Sequence, residues 1–247
     1  MKKISLSAEA SQQIEDFIGR TLLLVWFIAA SYRQGAGVVQ VLLDRGTTPT
    51  WLLDSFHHIV LLAFSVLAAT LTIIRKPAKA VADGVEPRVS AILGTFLMLS
   101  LPLLPQTEIS VELKVLSLLI TTIGLVLTVY CLFWLGRSWS IMATARTLVT
   151  KGPYRVVRHP IYASELISMG GVALGYFSLP ALLIVLATIA FTLRRTYNEE
   201  RVLRAAFPEY ADYARRVPRI IPKIRFSRVA GPAALATTPV AEATRRP

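Results

Sequence analysis

Apolar residues run almost unbroken through six stretches of the chain, at about 17–43, 52–74, 89–104, 112–135, 161–177 and 180–196. These runs are too continuous and too long for strands, and a segment in lipid must satisfy its own backbone polar groups, so each reads as a helix. Crossing a bilayer takes roughly 20 residues; the third, fifth and sixth stretches fall short of that. Helix-stopping residues separate them: Asp44-Arg45-Gly46 with Pro49, Arg75-Lys76-Pro77, Pro105, and Phe177-Ser178-Leu179-Pro180. The pattern predicts an all-α, polytopic transmembrane bundle of five to six spans. A helical hairpin over 161–196 closes it, followed by a cytoplasmic amphipathic helix.

Composition agrees. Hydrophobic residues make up 54% of the 247 positions and charged residues 17%, against about 25% charged in an ordinary soluble domain. The formal charge of +12 is unevenly spread. Arg75, Lys76, Lys79 and Arg88 follow the second stretch, and Arg137, Arg146, Lys151, Arg155 and Arg158 follow the fourth. Positive loops face the cytoplasm, so both are expected there, with the termini on the same side. No aromatic-interleaved basic module or zinc-finger spacing accompanies the charge, so a nucleic-acid partner is not expected. Residues 5–16 are polar where a secretory signal would be apolar, so no cleaved signal is expected. The division expected is a polar N-terminus (1–16), four membrane helices (17–135), a catalytic region (136–225) and a disordered Ala-, Pro- and Thr-rich tail (226–247). Cys131, the lone cysteine, lies in an apolar run and reads as packing.

Polar chemistry concentrates in two places. The first runs from Gly152-Pro153-Tyr154-Arg155 through Arg158-His159-Pro160-Ile161-Tyr162 to Glu165. Pro160 suits a first helical position, which puts His159 at a helix entrance near unpaired N–H groups. Tyr162 and Glu165 share a face at i,i+3 spacing. A proline-capped, positively charged membrane boundary would read the same way. The second cluster is Arg194-Arg195-Thr196-Tyr197-Asn198-Glu199-Glu200-Arg201, continuing to Phe207-Pro208-Glu209-Tyr210, Tyr213 and Val217-Pro218-Arg219. A two-helix hairpin would return it beside the first; a solvated ion-pair network is the plainer alternative. Asp54, His57 and His58 lie near the outer end of the second stretch, but adjacent histidines diverge on a helix, so a structural role is expected and no metal.

In order, these motifs resemble the isoprenylcysteine carboxyl methyltransferase and phospholipid methyltransferase superfamily: Gly-Pro-Tyr-Arg, Arg-His-Pro-x-Tyr, a Gly-rich short helix, Glu-Glu, then Tyr-x-x-Tyr and Val-Pro-Arg. The resemblance covers approximately residues 130–222. It implies S-adenosylmethionine as cofactor, with His159, Pro160, Tyr162, Glu199 and Glu200 as binding residues and Tyr154 and Leu135-Gly136 as softer transfers; Gly171, in the glycine-rich helix, is a further cofactor-binding candidate. Arg158, Arg195 and Glu200 are the catalytic candidates; Arg158, Arg194, Arg195 or Arg219 would hold an anionic substrate group. Ser164 stands where the family often has glycine. Gly171 to Gly175 has the spacing that permits close helix approach. The function implied is methyl transfer to a membrane-associated or lipid-like acceptor, on oxygen or nitrogen, at the cytoplasmic face. Two alternatives remain open: a nicotinamide-dependent membrane reductase resembling the sterol reductases, through His159, Pro160, Tyr162 and Glu165, and a non-enzymatic scaffold or transporter. No G-x-G-x-x-G follows a strand, so a soluble dinucleotide-type fold is not supported.

Overall fold

The structure, a computed structural model, describes residues 2–44, 50–105 and 108–223, with side chains from Asp16 onward. The breakers Arg45, Gly46 and Pro49, residues Gln106 and Thr107, and the tail expected at 226–247 lie outside the described residues. Seven α-helices occur in the order α1 (Lys2–Leu43), α2 (Trp51–Ile74), α3 (Val85–Phe96), α4 (Val111–Leu135), α5 (Pro160–Tyr176), α6 (Leu179–Ala206) and α7 (Tyr210–Arg216). A 3-10 helix, Leu97–Leu103, continues α3 and contains Pro102. The fold is an all-α bundle.

The apolar stretches are helical as expected, with three differences. Helix α1 does not wait for residue 17 but runs from Lys2, because residues 2–15 contain neither proline nor glycine to stop it. The sixth stretch, short by apolar content, becomes the 28-residue α6, about 42 Å long at 1.5 Å per residue. Its charged last third stays helical because straight-chain Arg, Glu and Leu are good helix formers and partners neutralise the charges. Third, four helical segments are long and apolar enough to cross a membrane: Asp16–Leu43, Trp51–Ile74, Val111–Ser138 and Leu179–Ala206. These make the protein an integral membrane protein. Helix α5, with 17 residues, and α3 with its 3-10 extension are shorter elements packed among them.

Local chemistry sets the ends. Ser110 caps α4 and Ser178 caps α6, each hydroxyl accepting from a first-turn amide (Leu113 N at 3.3 Å, Ala181 N at 3.4 Å). Gly136 ends α4 at a positive φ of 52°, and Pro160 opens α5.

Helices α1, α2, α4 and α5 pack in succession, while α3 packs along α6. Consecutive α5 and α6 barely touch, so the expected hairpin is splayed rather than packed. The α4–α5 seam explains why. Gly171 is so close to α4 that a Cβ there would fall within 2.8 Å of Ser117 O, and Gly124 abuts the α5 backbone at Ser164 and Ser168. Across this seam Ser117 Oγ donates to Gly171 O (2.8 Å), Ser168 Oγ donates to Thr121 O (3.1 Å) and Thr128 bonds Ser164 (2.8 Å). Small residues allow that approach, and the hydroxyls hold it. Pulled onto α4, helix α5 leaves a space facing α6.

One end of the bundle gathers the polar segments. Arg75 pairs with Asp16 at 2.8 Å, Arg137 Nε donates to Ile74 O at 2.8 Å, and Arg194 pairs with Glu86 at 2.8 Å. A two-residue antiparallel ladder, β1 (Ala80–Val81) with β2 (Thr144–Ala145), ties together the two basic loops. The apolar pattern does not anticipate this ladder; it does place both loops on one face.

Candidate functional site

His159 and Glu199-Glu200, some 40 residues apart in sequence, meet at this end. Backbone bonds from Arg158 N to Pro218 O (2.8 Å) and from His159 N to Arg219 O (2.9 Å) strap the segment after α7 across the start of α5. Beneath the strap sits Glu200, whose side chain is 3% exposed. Its carboxylate accepts from Arg158 Nε (3.0 Å) and from Arg219 Nε and Nη2 (3.0 and 2.9 Å), with Arg204 at 3.5 Å. Arg158 also donates to Ala214 O (2.6 Å) and Val217 O (2.9 Å). Burial pushes the Tyr213 hydroxyl up to about 12 and raises that of Tyr154 well above its usual value. Tyr213 thus stays a donor, to Tyr154 O at 2.6 Å, and locks α7 to the Gly152–Arg155 turn.

Glu199 faces the other way. The Tyr162 hydroxyl donates to it, Arg195 Nε lies 3.4 Å away and His159 Nδ1 3.7 Å away. The Arg195 guanidinium stacks 4.9 Å from the Tyr162 ring centroid and donates to Ser140 O (3.1 Å) and Thr95 Oγ1 (3.2 Å). His159 Nε2 is 3.3 Å from Glu200 Oε1 but lacks hydrogen-bonding geometry.

These groups border a cavity of about 380 Å³ between the α4–α5 pair and the α3–α6 pair. That volume lies within the usual range for small-molecule sites, roughly 300–1,000 Å³. Its polar lining includes Arg158, His159, Tyr162, Glu165, Arg195 and Glu199; its apolar lining includes Trp26, Phe96, Leu99, Leu125, Leu132 and Trp139. Among the described residues seven buried side-chain polar atoms make no hydrogen bond, and five of them belong to cavity-lining residues: Thr144 Oγ1, Arg146 Nε, Tyr210 Oη, and His159 Nε2 and Arg195 Nε, the last two only in ion-pair contact with Glu200 and Glu199. Buried polar groups are ordinarily satisfied. Orphans concentrated around one hollow mark a place for a polar ligand.

Of the expected site residues, Tyr154, Arg158, His159, Tyr162, Arg195 and Glu199 line the cavity, as does Leu135. Three do not line it: Glu200, Pro160 and Gly171. Glu200 lies outside the lining, its lone pairs occupied by arginines, and anchors the strap. Pro160 is buried at the first turn of α5 and sets the direction of the helix. Gly171 sits in the α4–α5 seam, where contact with the Ser117–Thr121 backbone accounts for it. Ser164 also faces α4, and the close approach there is supplied by Gly124. The arginines expected to hold an anion are already engaged: Arg158 and Arg219 with Glu200, Arg194 with Glu86, Arg195 with Glu199. Asp54, His57 and His58 diverge to Thr50, Thr122 and Gln34. The lining residues Thr144, Arg146, Glu165, Tyr210 and Tyr213 were absent from the expected set. The i,i+3 spacing with Tyr162 was the available signal for Glu165, and the Tyr-x-x-Tyr motif for the tyrosines; Thr144 and Arg146 had none.

Residues 112–210 match the phospholipid methyltransferase family. The segment spans α4 to the start of α7 and holds every polar lining residue named above except Thr95 and Tyr213. The resemblance read from the motifs is borne out over this segment, and the match supports a membrane methyltransferase. The chain is also 36% identical over 102 residues to the cobalt-zinc-cadmium resistance protein CzcN of Cupriavidus metallidurans, covering 38% of this chain and 45% of the relative. It is 32% identical over 126 residues to the nickel-cobalt-cadmium resistance protein NccN of Alcaligenes xylosoxydans xylosoxydans, covering 49% of this chain and 55% of the relative. The chain therefore spans about half the length of the curated relatives it matches.

Proposed function

We propose that the chain is an S-adenosylmethionine-dependent methyltransferase that works at the cytoplasmic face on a lipid-like acceptor reached from within the bilayer. The observation that carries this reading is the convergence of His159 and Tyr162 with Glu199 on one cavity, inside a segment matching a methyltransferase family. The cofactor's parts suit the residues present. Glu199 accepts hydrogen bonds from amino or hydroxyl groups; the orphaned His159 Nε2, Tyr210 hydroxyl and Thr144 hydroxyl supply donors or acceptors for a carboxylate or ribose. When bound, S-adenosylmethionine supplies an electrophilic methyl group on a positively charged sulfur.

The protein's own task is to position groups and exclude water. Arg195 fixes Glu199 and, stacked on Tyr162, holds α6 against α5. The Glu200 clamp holds His159 in place through Arg158 and the strap. The apolar lining, Trp26, Phe96, Leu99, Leu125 and Leu132, gives an acyl or prenyl chain dry surface to lie against. The positive-inside rule, applied to the basic loops tied by the β1–β2 ladder, supports a cytoplasmic position for the site's polar groups. Metal resistance, named for the relatives, is carried over as the physiological setting of membrane methylation rather than as metal binding. Among the described residues, no three His, Cys, Asp or Glu side chains gather to hold an ion.

Calorimetry on the purified protein in detergent tests the proposal. S-adenosylmethionine is expected to bind, and radiolabelled methyl groups to pass into a membrane lipid extract. Heat with a nicotinamide dinucleotide and none with S-adenosylmethionine would replace this reading with the reductase; heat with neither would leave a scaffold or transporter.

A further inference from the structure

Three arginines from separate elements meet at the polar end of the bundle, and methyl transfer gives them no task. Arg20 lies on α1, Arg75 follows α2 and Arg146 follows β2. The side chains of Arg75 and Arg146 are 5% and 2% exposed, and Arg146 also lines the cavity. Their shared partner is Asp16, whose Oδ1 lies 2.8 Å from Arg75 Nη2 and 3.7 Å from Arg146 Nη2. The charged groups acting on Arg146 are Arg75, Asp16 and Arg20; burial first, then the charge of Arg75, lowers its guanidinium to about 10, so it stays charged near neutral pH. Helix capping is the plain explanation for such a cluster. Arg20, Arg137 and Arg146 do donate to Ile73 O, Ile74 O and Lys76 O at the end of α2, and a helix C-terminus offers about half a negative charge. Capping nevertheless leaves the charge unbalanced, with Arg20, Arg75 and Arg146 set against Asp16 and that helix end. It also leaves atoms unmet: Arg75 Nε and Arg146 Nε are buried and make no hydrogen bond among the described residues. Buried cations are ordinarily paired and hydrogen-bonded; here one carboxylate oxygen serves two guanidiniums and satisfies neither Nε.

We propose that Arg75 and Arg146, with Arg20 beside them, form a binding site for a phosphate group, and that Asp16 is the stand-in which the phosphate displaces. The site goes beyond the methyltransferase reading, because Arg20 and Arg75 lie in the first half of the chain, outside the matched segment 112–210. A phosphate suits it in charge: a monoester carries about −1.5 to −2 at pH 7, which offsets the excess. It suits it in shape, since its tetrahedral oxygens can meet the forked N–H groups of two guanidiniums at once. Asp16 can give way because its side chain is 54% exposed, so water solvates the freed carboxylate. The phosphate arrives either free or on a lipid headgroup. Arg75 directly follows the membrane-crossing segment Trp51–Ile74, at the depth where arginines meet anionic headgroups.

Calorimetry on the full chain in detergent tests the site, with inorganic phosphate and dihexanoyl phosphatidic acid as probes and dihexanoylglycerol as the phosphate-free control. Phosphate is expected to bind in at least one of its two forms, and the control not to bind. Affinity for the lipid at least tenfold above that for inorganic phosphate assigns the site to a headgroup; a smaller difference assigns it to free phosphate. Arg75→Gln should weaken phosphate binding roughly tenfold or more. Asp16→Asn removes the competing carboxylate and should strengthen it by roughly tenfold, a gain that a misfolded variant does not mimic. Absence of heat with both phosphate probes overturns the proposal. So does an Arg75→Gln variant that binds phosphate like wild type, or an Asp16→Asn variant that binds it no more tightly. If Arg75→Gln also costs S-adenosylmethionine affinity tenfold, the anion is the cofactor's carboxylate and a separate phosphate site falls. The expected phosphate pattern in protein that binds no S-adenosylmethionine removes the methyltransferase reading and leaves the site standing.

Discussion

Glu199 and Glu200 are neighbours on α6, yet they belong to different regions of the molecule. The region around Glu200 is a clamp: a side chain 3% exposed, satisfied by Arg158 and Arg219, that pins the strap after α7 to the start of α5. The region around Glu199 is a cavity wall: a side chain 17% exposed, with a tyrosine and one arginine near it and orphaned polar atoms around it. Saturation separates the two. Where cations and amides already fill a carboxylate's lone pairs, the group holds structure; where they leave capacity over, the group is poised for a ligand. Proximity in sequence says nothing about which is which, because successive residues on a helix point about 100° apart.

The largest effect should come from breaking the clamp. Glu200→Ala strips the anion from under Arg158 and Arg219, and removing one partner of a buried ion pair costs about 3–5 kcal/mol. The expected outcome is a sharply lowered melting temperature in detergent, with loss of folded yield. A variant that melts like wild type but binds no S-adenosylmethionine would return Glu200 to the cofactor site and erase the distinction drawn here.

The α4–α5 seam gives the next effect. Gly171→Val forces a side chain into the Ser117–Thr121 backbone, and overpacking typically costs about 1–3 kcal/mol. The melting temperature should fall, while S-adenosylmethionine affinity, measured on the folded fraction, stays within threefold. Loss of affinity at unchanged stability would put the glycine on the cavity after all.

Glu199 should behave in the opposite way. Glu199→Gln and His159→Ala are expected to weaken S-adenosylmethionine binding roughly ten- to a hundredfold, about 1.4–2.8 kcal/mol, with a smaller change in melting temperature than Glu200→Ala. Calorimetry and thermal melts on the same preparations separate the two regions directly.

The fold was largely legible because its main signal is one-dimensional: apolar runs bounded by proline, glycine and charge. The meeting of His159 with Glu199-Glu200 was legible too, since any chain that leaves the bundle end at Pro160 and comes back along α6 must return there. The remainder was not, for reasons of direction rather than distance. Which of two adjacent glutamates faces the cavity depends on the rotation of α6, set by Gly94 against Thr192. Gly171 sits where a cofactor glycine was expected, but its neighbours come from α4, in a half of the chain whose pattern carries only hydrophobicity. Thr144 and Arg146 reach the cavity from an irregular loop held by a two-residue ladder, a contact with no periodic signature.

The smallest effect tests whether saturation, rather than charge itself, divides the regions. Arg194 belongs to the same charged run as Arg195 but points outward, half exposed, to a half-exposed Glu86 that it holds below the usual carboxylate range through its hydrogen bonds. Exposed pairs contribute little, because water already solvates both partners. Arg194→Ala should therefore leave the melting temperature and S-adenosylmethionine affinity unchanged within error, whereas Arg195→Ala should weaken binding by freeing the Glu199 carboxylate to move. If the two substitutions prove equivalent, the end of α6 acts as a diffuse field of positive charge. The contrast between clamp and cavity wall would then carry no functional meaning.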